Sequence, residues 1–143
     1  MQFQVQGKKM SVALLTIGSE ILDGRVQDTN SQYMNDIISS HGIYISNILS
    51  CDDIEGEIVR ALSFLFEKTD TVIVSGGLGP TDDDLTRESI SKFFNRELIK
   101  DEDSLKVIIE RYTKRGRAFD VSNNKQALFP KGSVVIPNPN GTA

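Results

Sequence analysis

The 143-residue chain has a single cysteine, a single histidine and no tryptophan. Cys51 alone closes no internal disulfide, and such sparse cysteine usage points to a cytoplasmic protein. His41, with no Cys or Ser partner in a recognisable motif, makes a poor triad member. Positive charge is also short. Sixteen Lys and Arg against twenty Asp and Glu leave a net charge of -4, which argues against a nucleic-acid surface. No apolar run approaches membrane-spanning length and no signal peptide is visible, so no membrane partner is expected. No repeat, low-complexity tract or linker appears. What remains is ordinary for one globular domain with a real core: 38% apolar and 25% charged residues.

The most informative stretch is Val72–Thr86, VIVSGGLGPTDDDLT. Thr71–Ser75 is a short β-branched run and predicts a fully buried parallel strand. Gly76, Gly77 and Gly79 follow at once, and a helical pattern starts near Leu85. A strand, a glycine turn and a helix start present backbone N–H groups to an anion. Three aspartates, Asp82, Asp83 and Asp84, stand in the same turn. A phosphate beside carboxylates is repulsive, by roughly 1–4 kcal/mol for charges about 4 Å apart. A divalent cation bridging the two resolves the conflict. The stretch therefore predicts a phosphorylated ligand bound with Mg2+ or a similar ion. Helix capping by Thr81–Asp84 is the competing reading, an even one for any single aspartate.

The rest of the chain alternates strands and helices. Residues 1–9 read as a polar leader and residues 10–143 as the domain. Ser11–Ile17 predicts a central strand, followed by a turn at Gly18–Leu22 that puts Glu20 at the strand's carboxyl end. A helix capped by Asp28, Thr29 or Asn30 stops at Gly42, with His41 in its last turn. Ile43–Leu49 predicts the second strand and Ile54–Glu67 a helix, with Asp52 or Asp53 as its cap. Arg96–Lys100 predicts an edge strand, Asp101–Ser104 opens a helix, Asn123–Leu128 is a short helix, and Ser133–Ile136 is a fourth strand. The fold class is α/β: a three-layer sandwich with a mostly parallel sheet and helices on both faces. Ligands of such sheets bind at the strands' carboxyl ends. Glu20, Asp52 and the Gly76–Thr86 loop are expected to meet there.

The run Gly76-Gly77-Leu78-Gly79-Pro80-Thr81-Asp82-Asp83-Asp84-Leu85-Thr86 resembles the signature loop of the molybdopterin-binding-domain superfamily, and most closely its competence/damage-inducible (CinA-type) branch. The likeness runs from about Val12 to the end, through Gly18–Leu22, Gly24–Asn30, Asn123–Ala127 and Pro137–Ala143. It implies that Asn30 and Asp52 lie at the ligand cleft and that Lys125 faces the phosphates. It also puts Asn138, Gly141 and Thr142 in a loop at the same cleft. Glu20, Asp82 and Asp84 are then the expected metal ligands, with Mg2+, Mn2+ or Co2+ as the ion. Asp52, Asp84 and Lys125 are the expected catalytic groups. Gly76, Gly77, Gly79, Thr81 and Thr86 complete the phosphate site. The chain stops inside the last family motif, so the resemblance implies a C-terminally truncated domain.

The resemblance implies metal-dependent cleavage of a nucleoside diphosphate-linked molecule, ADP-ribose first, by a non-Nudix hydrolase. No R-E-x-x-E-E helix is present. The alternative is binding of molybdopterin or its adenylylated form, a pterin nucleotide. Leu78 favours the hydrolase, because pterin enzymes usually carry Thr at that position. Self-association as a homodimer or homotrimer is expected by the same likeness.

Overall fold

A computed structural model describes residues 10–141. The predicted leader and Thr142 lie outside the described residues. Three parallel strands form the main sheet: β1 (Ser11–Ile17), β2 (Tyr44–Cys51) and β3 (Val72–Ser75), in the order β2-β1-β3. β1 pairs on both sides, from Ser11 opposite Tyr44 to Ile17 opposite Cys51, and from Ala13 opposite Val72 to Thr16 opposite Ser75. Its apolar run is buried on both faces, as an unalternating sequence should be. β3 was expected to be fully buried and is not. It is half-buried along its length, because β1 is its sole strand partner among the described residues.

Helices cover both faces. Ala13, Leu15 and Ile17 meet Ile58, Ala61, Leu62 and Leu65 of α3 (Glu55–Phe66), whose apolar residues recur at helical spacing. Phe66 stacks on Phe93 at 5.4 Å between ring centroids and meets Phe94 edge-on at 5.6 Å. These contacts tie α4 (Thr86–Phe93) to α3, each aromatic pair adding about 0.5–1.5 kcal/mol beyond its buried area.

On the opposite face, Thr16 of β1 contacts α2 (Thr29–Ser40). Of the three candidate caps for α2, Asp28 takes the position. Its Oδ1 accepts from Ser31 N at 2.9 Å and its Oδ2 from Thr16 Oγ1 at 2.8 Å. Thr16 Oγ1 also lies 2.9 Å from Ser31 Oγ. Burial alone would raise the Asp28 pKa, but the hydrogen bonds from Ser31 and Thr16 outweigh it and hold the pKa below the ordinary value. A lowered carboxylate stabilises the fold above its unfolded pKa and loses that contribution as pH falls through the folded one. Asp28→Ala is therefore expected to cost about 1–2 kcal/mol at pH 7. In urea titrations the gap from the unsubstituted chain should narrow below about pH 4.

Three segments differ from the sequence reading. Gly18–Leu22, expected as a turn, is a single helical turn α1 (Ser19–Leu22). β4 (Leu98–Lys100) and α5 (Glu102–Lys114) form as predicted, α5 being capped by Asp101 through Ser104 N at 2.7 Å. The segment expected as a helix from Asn123 is instead a 3₁₀ stretch, Val121–Ala127, that passes directly into β5 (Leu128–Pro130). β5 pairs antiparallel with β4. The fourth strand predicted at Ser133–Ile136 does not form. Ser133 closes a turn on the Pro130 carbonyl, and Val134 and Ile136 are 89% and 83% exposed, with no face to bury.

Candidate functional site

The turn after β3 is built on the end of β1. Gly76 and Gly77 both take left-handed backbone, at φ 98° and 59°. A Cβ on Gly76 would overlap the Ile17 carbonyl oxygen, and one on Gly77 would overlap Thr86 Oγ1. Thr86, fully buried, fastens both glycines from beneath. Its Oγ1 donates to Gly76 O at 2.8 Å and its N–H to Gly77 O at 3.2 Å. Thr86 thus reaches no solvent and acts as the inner clamp of the turn.

Strand order β2-β1-β3 makes the gap between β1 and β3 a topological switch point, the place where open α/β sheets bind ligands. Four carboxylates gather at this edge. Asp53 Oδ2 accepts from Ser19 N at 3.2 Å, and its Oδ1 lies 3.3 Å from where a Gly77 Cβ would be. Burial raises the Asp53 pKa, the Ser19 hydrogen bond opposes this, and the charges of Glu20, Asp52 and Asp83 push it up further. Asp52 accepts from the Asp53 backbone N–H at 2.8 Å. Glu20 and Asp52 each lie near enough to Asp53 for their charges to act on it, and the acid at the centre is Asp53, which sequence reasoning left as a helix cap. The adjacent pair Asp52-Asp53 was the available signal; which member turns inward depends on the backbone leaving β2. Cys51, one residue away, has its thiol pushed up to about 11 by burial and by Glu57, Asp53 and Asp52, which makes it a packing residue and a poor nucleophile.

Asp84 does not join this group. Its Oδ1 accepts from Gly79 N at 2.8 Å, and its Oδ2 from Thr81 N at 2.9 Å and from Thr81 Oγ1. Two amides expected to grip a phosphate thus grip the chain's own carboxylate. Lys125 lies beside it, donating to Thr81 O at 2.9 Å and pairing with Glu88 at 3.4 Å. Asp82 is exposed on the outside of the bend. Asn30 donates to Ser75 Oγ at 3.2 Å, which brings the start of α2 to the end of β3. Asn138 folds its side chain onto the N–H groups of Asn140 and Gly141 and lines a cavity that begins at Leu78. His41 Nδ1 lies 2.8 Å from the Ile37 carbonyl, a helix-end contact.

Both Asp84 oxygens are engaged by the loop, and among the described residues no three His, Cys, Asp or Glu side chains stand close enough to hold one ion. Glu20, Asp82 and Asp84 do not fit a resident metal in this conformation.

Residues 13–141 match the family model described as "Probable molybdopterin binding domain". A competence-damage inducible protein of Clostridium kluyveri is 44% identical over 135 residues, and one of Alkaliphilus oremlandii is 42% identical over 134. Each match covers 94% of this chain, which spans only about one third of those relatives, 33% and 32%. Among solved structures, CinA of Thermoplasma acidophilum, described as of unknown function, superposes with a TM-score of 0.84 at 36% identity, over 93% of this chain and 78% of that one. MoaB of Pyrococcus furiosus, titled as tungsten cofactor synthesizing, aligns at TM-score 0.58 and 21% identity over 77% of this chain and 67% of its own, a likeness of fold. With the turn, the strand order and these matches together, the chain belongs to the molybdopterin-binding-domain family, on its CinA branch.

Proposed function

We propose that the crevice between β1 and β3 binds the diphosphate of a nucleoside diphosphate-linked molecule, and that the intact protein hydrolyses it, with ADP-ribose as the leading substrate. The observation that carries this reading is the Asp53 carboxylate. It stands with raised pKa among Glu20, Asp52 and Asp83, beside a glycine turn at the topological switch point. A carboxylate with a raised pKa at a cleft is suited to general-base work. Asp53 would take the proton of a water that attacks phosphorus. The P–O–P bond then breaks, and ADP-ribose and water give AMP and ribose 5-phosphate. Lys125, held near the bend, would offset charge developing on the phosphates. No step is assigned to a resident metal. A cation dependence on Mg2+, Mn2+ or Co2+ is proposed as a property of the diphosphate, which repels the four carboxylates unless neutralised.

A second reading, binding of molybdopterin or its adenylylated form, is supported by the family description of residues 13–141. One experiment separates them. The intact protein is incubated with ADP-ribose and each cation in turn, AMP is measured by chromatography, and pterin affinity is measured in parallel under reducing conditions. AMP release abolished by EDTA is expected. Asp53→Asn should lower AMP release about 100-fold or more, as loss of a general base does. The same substitution should raise stability at pH 7. A carboxylate whose pKa is raised on folding weighs against the fold when ionised, and the amide removes that charge. AMP release unchanged by Asp53→Asn removes Asp53 from its role; pterin affinity without any AMP release selects the second reading.

A further inference from the structure

Lys125 is held at two points, on two different elements. Its Nζ donates to the Thr81 carbonyl of the bend at 2.9 Å and stands 3.4 Å from Oε1 of Glu88. Glu88 lies in the first turn of α4, close behind Thr86, the clamp of the glycine turn. The Lys125 and Glu88 side chains are only 18% and 29% exposed, so solvent screens the pair weakly.

The other oxygen of Glu88, Oε2, is buried with no hydrogen-bond partner among the described residues. An acceptor left unmade in this way weighs against the fold. Two neighbours would account for an acid here. One is Arg87, whose Nη1 is buried and also unpartnered. Burial disfavours its guanidinium, and the charges of Glu88 and Asp84 act in the opposite sense. The other is Lys125, which Oε1 faces directly. An ammonium has three N–H donors on a flexible four-carbon stem, and a single anchor leaves it free to swing. Thr81 takes one donor and Glu88 faces a second, which leaves a third. The bend that carries Thr81 also carries Asp83, whose charge acts on Asp53. Ammonium and crevice therefore share one support.

We propose that Glu88 is a positioning residue, which fixes the Lys125 ammonium against Thr81 with one N–H left for the diphosphate. Its role in turnover rests on the diphosphate reading; its hold on the ammonium stands apart from that reading.

AMP release from ADP-ribose with Mg2+ is measured for the intact protein, for Glu88→Gln, for Lys125→Met and for the double variant. Glutamine keeps the shape and removes the charge. Glu88→Gln should lower kcat about tenfold and leave KM within about twofold, since Lys125 is assigned to charge that develops during the reaction. Lys125→Met should cost more, and the double variant should match it within about twofold, because Glu88 then has nothing to hold. Losses that multiply would assign Glu88 to Arg87 and overturn the proposal, as would an unchanged kcat or a change in KM alone. The ammonium itself gives a readout that needs no activity. In proton–nitrogen correlation spectra of the chain, the Lys125 Nζ signal, identified by its loss in Lys125→Met, should be visible without substitution and broadened away by water exchange in Glu88→Gln. A signal missing from the unsubstituted chain, or unmoved by Glu88→Gln, overturns the proposal. If the unsubstituted protein releases no AMP, the hydrolase reading fails by itself, and this signal decides whether Glu88 holds the ammonium.

Discussion

Gly76→Ala is expected to destabilise the domain by roughly 2–5 kcal/mol, a large fraction of an ordinary domain's stability. Two costs combine. At φ 98° the backbone is left-handed, which an L side chain resists by about 1–2 kcal/mol. The new methyl would also overlap the Ile17 carbonyl oxygen and lie 3.0 Å from its carbon. That neighbour is backbone of the central strand, not the end of a flexible side chain. Relief requires β1 and β3 to separate at Ile17, and displacements of that kind in a packed core cost about 1–3 kcal/mol more. Gly24→Ala isolates the first cost. Gly24 has φ 75° and nothing within 4 Å of the added carbon. Urea unfolding should show Gly24→Ala losing about 1–2 kcal/mol and Gly76→Ala at least twice that. Equal losses would mean that the turn is not seated on β1.

The same contact explains which parts of the structure were legible in sequence. β1 could be read because its apolar residues do not alternate, and a strand buried on both faces has no other pattern. α3 could be read because Ile58, Ala61, Leu62 and Leu65 share one face. The glycines after Ser75 announced a backbone that must approach something closely. Ser133–Ile136 failed for the opposite reason. Its apolar residues suit a strand only when a neighbouring strand and a covering layer exist, and neither is encoded within those four residues. Leu128–Pro130 was missed because its partner, Leu98–Lys100, lies thirty residues earlier in register, and three residues give period-2 alternation too little to work with. The candidate site divides the same way. That Glu20 and Asp52 converge follows from parallel topology. That Asp53 turns inward and Asp84 turns into its own loop depends on backbone angles, to which residue type is nearly blind.

Asp84→Ala is expected to lower AMP release by the intact protein about 100-fold while leaving the fold in place, and the reason is positional. The Asp84 carboxylate gathers Gly79 N, Thr81 N and Thr81 Oγ1 onto its two oxygens. Burial would raise its pKa, but the hydrogen bonds from Thr81 and Gly79, with the charge of Lys125, outweigh that and lower it. Alanine frees three donors at the mouth of the turn, where water can reach them, so the stability loss stays near 1–3 kcal/mol. The bend that carries Lys125 through the Thr81 carbonyl loses its shape, however. A catalytic group displaced by about 1 Å costs on the order of 100-fold in rate. Asp84→Asn separates shape from charge. The amide oxygen, standing where Oδ2 is, can keep the two Thr81 donors, while its NH2 faces Gly79 N as a second donor, so an intermediate loss is expected in both stability and rate. The sign of the pH dependence follows from the lowered pKa. Asp84 stabilises the bend above its unfolded pKa near 4, and that contribution fades as pH falls through the folded value. Urea midpoints measured from pH 7 down to pH 3 should therefore converge for the unsubstituted chain and Asp84→Ala. Full AMP release by Asp84→Ala would mean that the bend holds its shape without the carboxylate, and would remove Asp84 from the positioning role.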